Sequence, residues 1–105
     1  MTRFLPHITV ATVIEHDGRF LFVKEHAEKR IVLNQPAGHL EMDESLIQAA
    51  IRETLEETGW DIEITHLLGI HLYQAPSNNV TYQRVCFAGL ALQERKNHPL
   101  DDGII

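Results

Sequence analysis

Gly38-His39-Leu40-Glu41-Met42-Asp43-Glu44-Ser45-Leu46-Ile47-Gln48-Ala49-Ala50-Ile51-Arg52-Glu53-Thr54-Leu55-Glu56-Glu57-Thr58-Gly59-Trp60 is the stretch that decides the fold. Within it Leu46, Ile47, Ala50, Ile51, Thr54 and Leu55 recur at helical spacing and give one helix face an apolar stripe. Both ends are marked. Ser45 with Gln48 three residues later fits a capping box, and Gly59 sits where a left-handed C-terminal cap is wanted. Just upstream, Asn34-Gln35-Pro36-Ala37-Gly38 is a place where the backbone must turn.

At about 100° per residue, Glu53, Glu56 and Glu57 project within roughly a third of the helix circumference. Glu57 falls at the angular position between Leu46 and Ala50, on the margin of the apolar face. At about 6 Å and an effective dielectric of about 20, each ionised pair would repel by roughly 3 kcal/mol, so a positive group is expected among them. A solvated acidic face is the competing reading, because exposed like-charge neighbours cost only about 0.2–0.5 kcal/mol a pair.

The company these glutamates keep decides between the two. Gly38, Glu44, Arg52-Glu53, Glu56-Glu57 and Gly59 occupy seven positions whose order and spacing resemble the Nudix box. With each residue type at roughly 7% usage, chance agreement at a given start is on the order of one in a hundred million. Two looser positions depart: Thr54 stands where an aliphatic residue is usual, and Trp60 is aromatic at the final apolar position. The resemblance implies a hydrolase that cuts phosphoanhydride bonds with Mg²⁺, or Mn²⁺ in its place. It implies metal binding by Gly38, Glu53, Glu56 and Glu57, with Gly38 offering its backbone carbonyl from a strained loop. It assigns catalytic roles to Arg52, Glu53 and Glu56: Glu53 ligates metal or takes the proton from the attacking water, and Arg52 holds a glutamate in its working orientation. Hard oxygen ligands of this kind suit Mg²⁺ or Mn²⁺. For Arg52 an ordinary pairing with Glu56 four residues on is the bland alternative, and for Glu44 a structural role at the helix start stands beside metal contact.

Working outward, Ile8-Thr9-Val10-Ala11-Thr12-Val13-Ile14 is β-branched almost throughout, and His16-Asp17-Gly18-Arg19 supplies turn chemistry before Phe20-Leu21-Phe22-Val23. That predicts a hairpin. A polar segment from Glu25 to Arg30 and a short apolar piece, Ile31-Val32-Leu33, follow. Beyond the helix the pattern predicts strands over Ile62 to Tyr73 and Thr81 to Gln93, with a loop at Ala75-Pro76-Ser77-Asn78-Asn79. The fold class is α+β: a mixed sheet with the loop-helix packed on it, as in the α/β/α sandwich that the family resemblance implies. No second covering helix is seen, and Leu100-Asp101-Asp102-Gly103-Ile104-Ile105 reads as a loop turning into a new strand. The expectation is one domain over residues 1–105, truncated before its last strand and second helix. Glu94, Asp101 and Asp102 are stand-ins for a further acidic residue near the metal.

Length and composition agree with a single domain: 105 residues, 44% of them hydrophobic. The formal net charge of −6, with no Lys/Arg cluster, argues against nucleic-acid or anionic-membrane partners. The expected partner is a small-molecule diphosphate or nucleotide, and the charge leaves oligomeric state open. A soluble, cytoplasmic protein is expected, since no apolar run reaches signal-peptide or membrane-span length. Cys86 stands alone in an apolar strand pattern and reads as a small buried hydrophobe. His39 is near enough to Gly38 to reach a phosphate, although a structural role competes. His66 and His71 show no metal spacing. Tyr73, Tyr82 and Phe87 are core residues or base-stacking groups.

Asn34 to Glu41, with His7-Ile8-Thr9-Val10-Ala11, is similar to the NudJ branch of bacterial phosphatases within the family. That similarity implies nucleoside tri- and diphosphates, or a hydroxymethylpyrimidine diphosphate, as substrates. A Nudix-like binding or sensing module without turnover is the alternative.

Overall fold

Strand β1 (His7–His16) is the strand around which the sheet is built. The computed structural model describes residues 3–27 and 29–96, so the readings of Asp101, Asp102 and the tail from Leu100 lie outside the described residues. β1 turns at Asp17 and Gly18, both with positive φ (50° and 75°), as a two-residue hairpin loop requires. The chain returns as β2 (Arg19–Phe20). The expected hairpin is present, but its second strand is two residues long.

The chain then leaves the sheet. β3 (Val23–Ala27) pairs with β4 (Arg30–Asn34) as a separate antiparallel ribbon. Of the polar segment expected over Glu25 to Arg30, Glu25, His26 and Ala27 therefore lie in β3 and Arg30 in β4. The alternation of β3 was obscured by composition: Val23 is buried and Glu25 half-buried, while Lys24 and His26 are exposed, a period of two written mostly in polar residues.

β5 (Ala37–His39) pairs antiparallel with β1 on the same edge as β2, and on the other edge β1 runs parallel to β7 (Thr81–Glu94). β6 (Trp60–Gln74) pairs antiparallel with β7, so the sheet is mixed, as expected, in the order β2-β1-β7-β6. Both long strands overrun their expected bounds by one or two residues. Among the described residues there is one helix, α1 (Leu46–Thr58), and none long and apolar enough to cross a membrane.

Both predicted caps of α1 form. Ser45 and Gln48 bond reciprocally, and Gly59 adopts the left-handed conformation (φ 77°) with its N–H donating to the Leu55 carbonyl at 2.8 Å. Ala49 and Ala50 pack against Val10, Val85 and Phe87, with Leu40, Leu46 and Ile64 around them. Small side chains on the helix let it sit close to the sheet. Phe87 is thus a core residue. Cys86, one residue before it and facing the opposite side of the sheet, is only half-buried, less enclosed than its sequence context implies.

Thr54, the departure from the aliphatic pattern, is fully buried. Its hydroxyl donates to the Ala50 carbonyl at 2.8 Å and lies 2.9 Å from the Thr12 hydroxyl of β1. Because its proton is committed to Ala50, Thr12 is the donor of that second bond. A buried polar pair thereby pins helix to sheet where the usual residue would only pack.

Thr54→Val removes the acceptor and strands the Thr12 hydroxyl, which is expected to cost about 1–3 kcal/mol in urea unfolding. The double variant Thr12→Val/Thr54→Val is expected to cost less than the sum of the singles. Strict additivity would show that the two hydroxyls do not support each other.

Candidate functional site

The edge of β5 that faces α1 is where the box residues meet. Thr12 N–H donates to the Pro36 carbonyl at 3.0 Å and Leu40 N–H to the Ile8 carbonyl at 3.2 Å. With Val10 opposite Gly38, antiparallel alternation turns the backbone groups of Gly38 toward β1 and those of Ala37 and His39 outward. The outward groups are met by side chains of α1. The Ala37 N–H donates to Glu57 Oε1 at 2.8 Å, and the His39 carbonyl accepts from Arg52 Nη2 at 2.9 Å. The helix thus satisfies a strand edge that would otherwise carry orphan backbone groups.

Gly38 is glycine for lack of space. Its backbone is ordinary strand and is not among the positive-φ glycines, which corrects the strained loop expected there. A Cβ at this position would overlap the carboxylate of Glu53. Its carbonyl, directed at β1, is also turned from the carboxylates. The backbone carbonyl that shares their side of β5 is that of Ala37.

Arg52 is the hub. Its Nε and Nη2 form a two-point bond to Glu44 at 2.7 and 3.0 Å, and Nη2 also reaches the His39 carbonyl. Nη1 donates to Glu53 and, at 3.1 Å, to Glu56, with Glu41 at 3.4 Å. All five guanidinium protons are placed. Arg52 thus pairs with Glu56 four residues on, the contact of the bland reading, and bonds Glu53 as well. Hydrogen bonds to Glu44 and then to Glu53 raise its pKa further above its already high ordinary value, against its partial burial. Glu44 also accepts the Glu41 N–H at 3.0 Å.

Among the described residues, four carboxylates share this one guanidinium. Among the described residues no three acidic, imidazole or thiol side chains converge as a ready cation cage. Glu53 lies against Gly38 and Arg52, Glu57 against the Ala37 amide, and Glu56, about 38% exposed at its side chain, against Arg52. The donors are nevertheless all hard oxygens held on one side of α1 beside a strand edge. That set fits a divalent cation of the Mg²⁺ type.

Beside Glu57 opens a cleft of about 430 Å³ lined by residues from β3, β4, β5 and β7, among them Phe22, Leu33, Gln35 and Arg84. Sequence reasoning missed Arg84. Its one signal was a cation inside the otherwise uncharged run Val80 to Leu92. Tyr82 stacks on Tyr73 with ring centroids 5.5 Å apart and has His7 and His39 at 5.7 and 6.2 Å. The two tyrosines are thus on the sheet face away from α1, outside the core. His66 and His71 are exposed on β6, and Glu94 ends β7 opposite Trp60.

With this geometry in place the family is settled: residues 4–104 match the NUDIX domain, and the chain belongs to that family. It is 45% identical over 85 residues to the phosphatase NudJ of Escherichia coli strain K12, a stretch covering 81% of this chain and 55% of that protein. A NUDIX hydrolase from Nitrosomonas europaea superposes with a TM-score of 0.90 at 46% identity, over 96% of this chain and 69% of that one. A UDP-X diphosphatase at 22% identity, TM-score 0.75, shares the fold over 99% of this chain and 50% of its own. The chain spans about half the length of the curated relatives it matches.

The Glu44 carboxyl is held below its ordinary value of 4.5, chiefly by its hydrogen bonds to Arg52. A carboxylate with a lower pKa in the folded chain stabilises the fold above its unfolded value, and that contribution is lost as pH falls through the folded value. Glu44→Gln is therefore expected to lower the melting temperature at neutral pH in chelator-treated protein. The gap to the parent should close as the pH drops below about 4.5. A gap that persists undiminished to pH ~3 would contradict the assignment.

Proposed function

We propose that this chain hydrolyses a phosphoanhydride bond of nucleoside di- or triphosphates, or of a small hydroxymethylpyrimidine-diphosphate-like molecule, with Mg²⁺ or Mn²⁺ as cofactor. The observation that carries this reading is the carboxylate cluster around Arg52, in which one positive group faces four negative ones. Such an excess is costly at a partly buried position unless a further cation joins it. Glu53, Glu56 and Glu57 would hold that cation. Edge geometry favours the Ala37 carbonyl over the Gly38 carbonyl as their backbone companion. Bound there, a divalent cation neutralises diphosphate charge and makes water more acidic.

The chain's own residues account for the rest. Glu53, with one oxygen bonded to Arg52, would take the proton from an attacking water. Arg52, bonded to both Glu53 and Glu56, would keep them oriented, so little reorganisation is needed when charge develops. Phe22 and Leu33, 56% and 67% exposed at the cleft, offer an apolar rim on which a flat ring could lie. The similarity to the phosphatase NudJ supports phosphate release from small substrates, and a cytoplasmic setting suits such a substrate pool.

A phosphate-release assay on nucleoside and pyrimidine diphosphates with Mg²⁺ tests the reading. Turnover by the parent and a loss of about 100-fold or more in Glu57→Gln is expected. Ligand binding without turnover in both proteins would replace the hydrolase with a binding or sensing module.

A further inference from the structure

Arg84 stands on β7, an interior strand between β1 and β6, and is half-buried. A guanidinium in such a place loses solvation and needs a reason to stay. Its register partners are Thr9 on β1 and His71 on β6, so no carboxylate is opposite it on either side. Its Nη2 donates to Gln35 Oε1 at 2.8 Å. Gln35 is a neutral acceptor, which aims the guanidinium without cancelling its charge. The cleft that both residues line also contains Glu25 and Glu57, and Arg84 is the one cation among its described lining residues.

A second polar group on the same sheet face points the same way. Thr9 Oγ1 is buried with no hydrogen-bond partner among the described residues, at the register position next to Arg84. Buried polar orphans in a folded chain call for a partner such as water or a ligand oxygen. Thr9 and Arg84 are thus register neighbours on the sheet face away from α1, and Arg84 lines the cleft together with the acceptors Glu25 and Glu57.

We propose that Arg84, aimed by Gln35, is the anion-binding group of the cleft and takes a phosphate of the substrate through the planar fork of its guanidinium. The inference rests on the hydrolase reading for the identity of the ligand as a phosphate chain. The helix carboxylates, with their cation, take one part of that chain and Arg84 takes another. A substrate is thereby held at two points and selected for carrying at least two linked phosphates. Gln35 is a positioning residue that acts through Arg84.

Calorimetric titration with inorganic tripolyphosphate, with Ca²⁺ in place of Mg²⁺, reads the site without needing turnover. Arg84→Gln is expected to weaken binding about 10- to 100-fold, the range for losing charge-assisted hydrogen bonds. Arg84→Lys should lie between it and the parent, and Gln35→Ala should give a smaller loss. In steady state with Mg²⁺, KM of Arg84→Gln should rise by more than kcat falls. If Arg84→Gln does not fold, Arg84→Lys and Gln35→Ala decide the question, and unchanged affinity in both overturns the proposal. Affinity of Arg84→Gln within twofold of the parent also overturns it, as does a parent that does not bind tripolyphosphate. A parent that binds through Arg84 yet turns nothing over would sink the hydrolase reading and leave the anion site standing.

Discussion

The guanidinium of Arg52 ties together three pieces of chain: the edge of β5, the Glu41–Glu44 loop and the acidic side of α1. Each of its protons goes to a different demand. Two bind Glu44 at the start of the helix, one closes the outward carbonyl of His39, and the rest restrain Glu53 and Glu56. Lysine could not do this, since an ammonium lacks the fixed fork. Gly38 depends on the same arrangement, because the Glu53 carboxylate occupies the space a side chain would need.

This arrangement also explains why an acidic helix is tolerated against a sheet. Burial of unpaired carboxylates is costly, and here the polar edge of β5 and one arginine offset part of that cost. Glu57 bonds the Ala37 amide, and the apolar stripe of α1 meets Val10, Val85 and Phe87 immediately beside it. The carboxylates thus sit at the seam between core and cleft. At such a seam the local dielectric is low enough for charges to act strongly, and a substrate can still enter.

The box and its helix were legible because their signals are local: cap residues three apart, apolar positions three and four apart, and carboxylates on adjoining turns. The long strands were legible for the same reason, through β-branched runs such as Ile8 to Ile14. The β3–β4 ribbon was not, because Lys24 and His26 alternate with Val23 and Glu25 in a strand whose polar composition resembles a loop. Residues that act across long sequence separations escaped as well. Thr12 meets Thr54 and Gln35 meets Arg84 only after the sheet has assembled. The reason for Gly38 was misread too: the sequence shows a glycine and cannot show that a glutamate fills the place of its side chain.

The central claim is that Arg52 and the β5 edge hold Glu53, Glu56 and Glu57 as a divalent-cation site. Paramagnetic broadening of backbone amide signals by substoichiometric Mn²⁺ locates such a site directly. The account predicts that the amides of Ala37, Glu53, Glu56 and Glu57 fade first, and that this selectivity is lost in Arg52→Lys. Broadening centred on the exposed acids of β6 and β7, or equally selective broadening in Arg52→Lys, would contradict it.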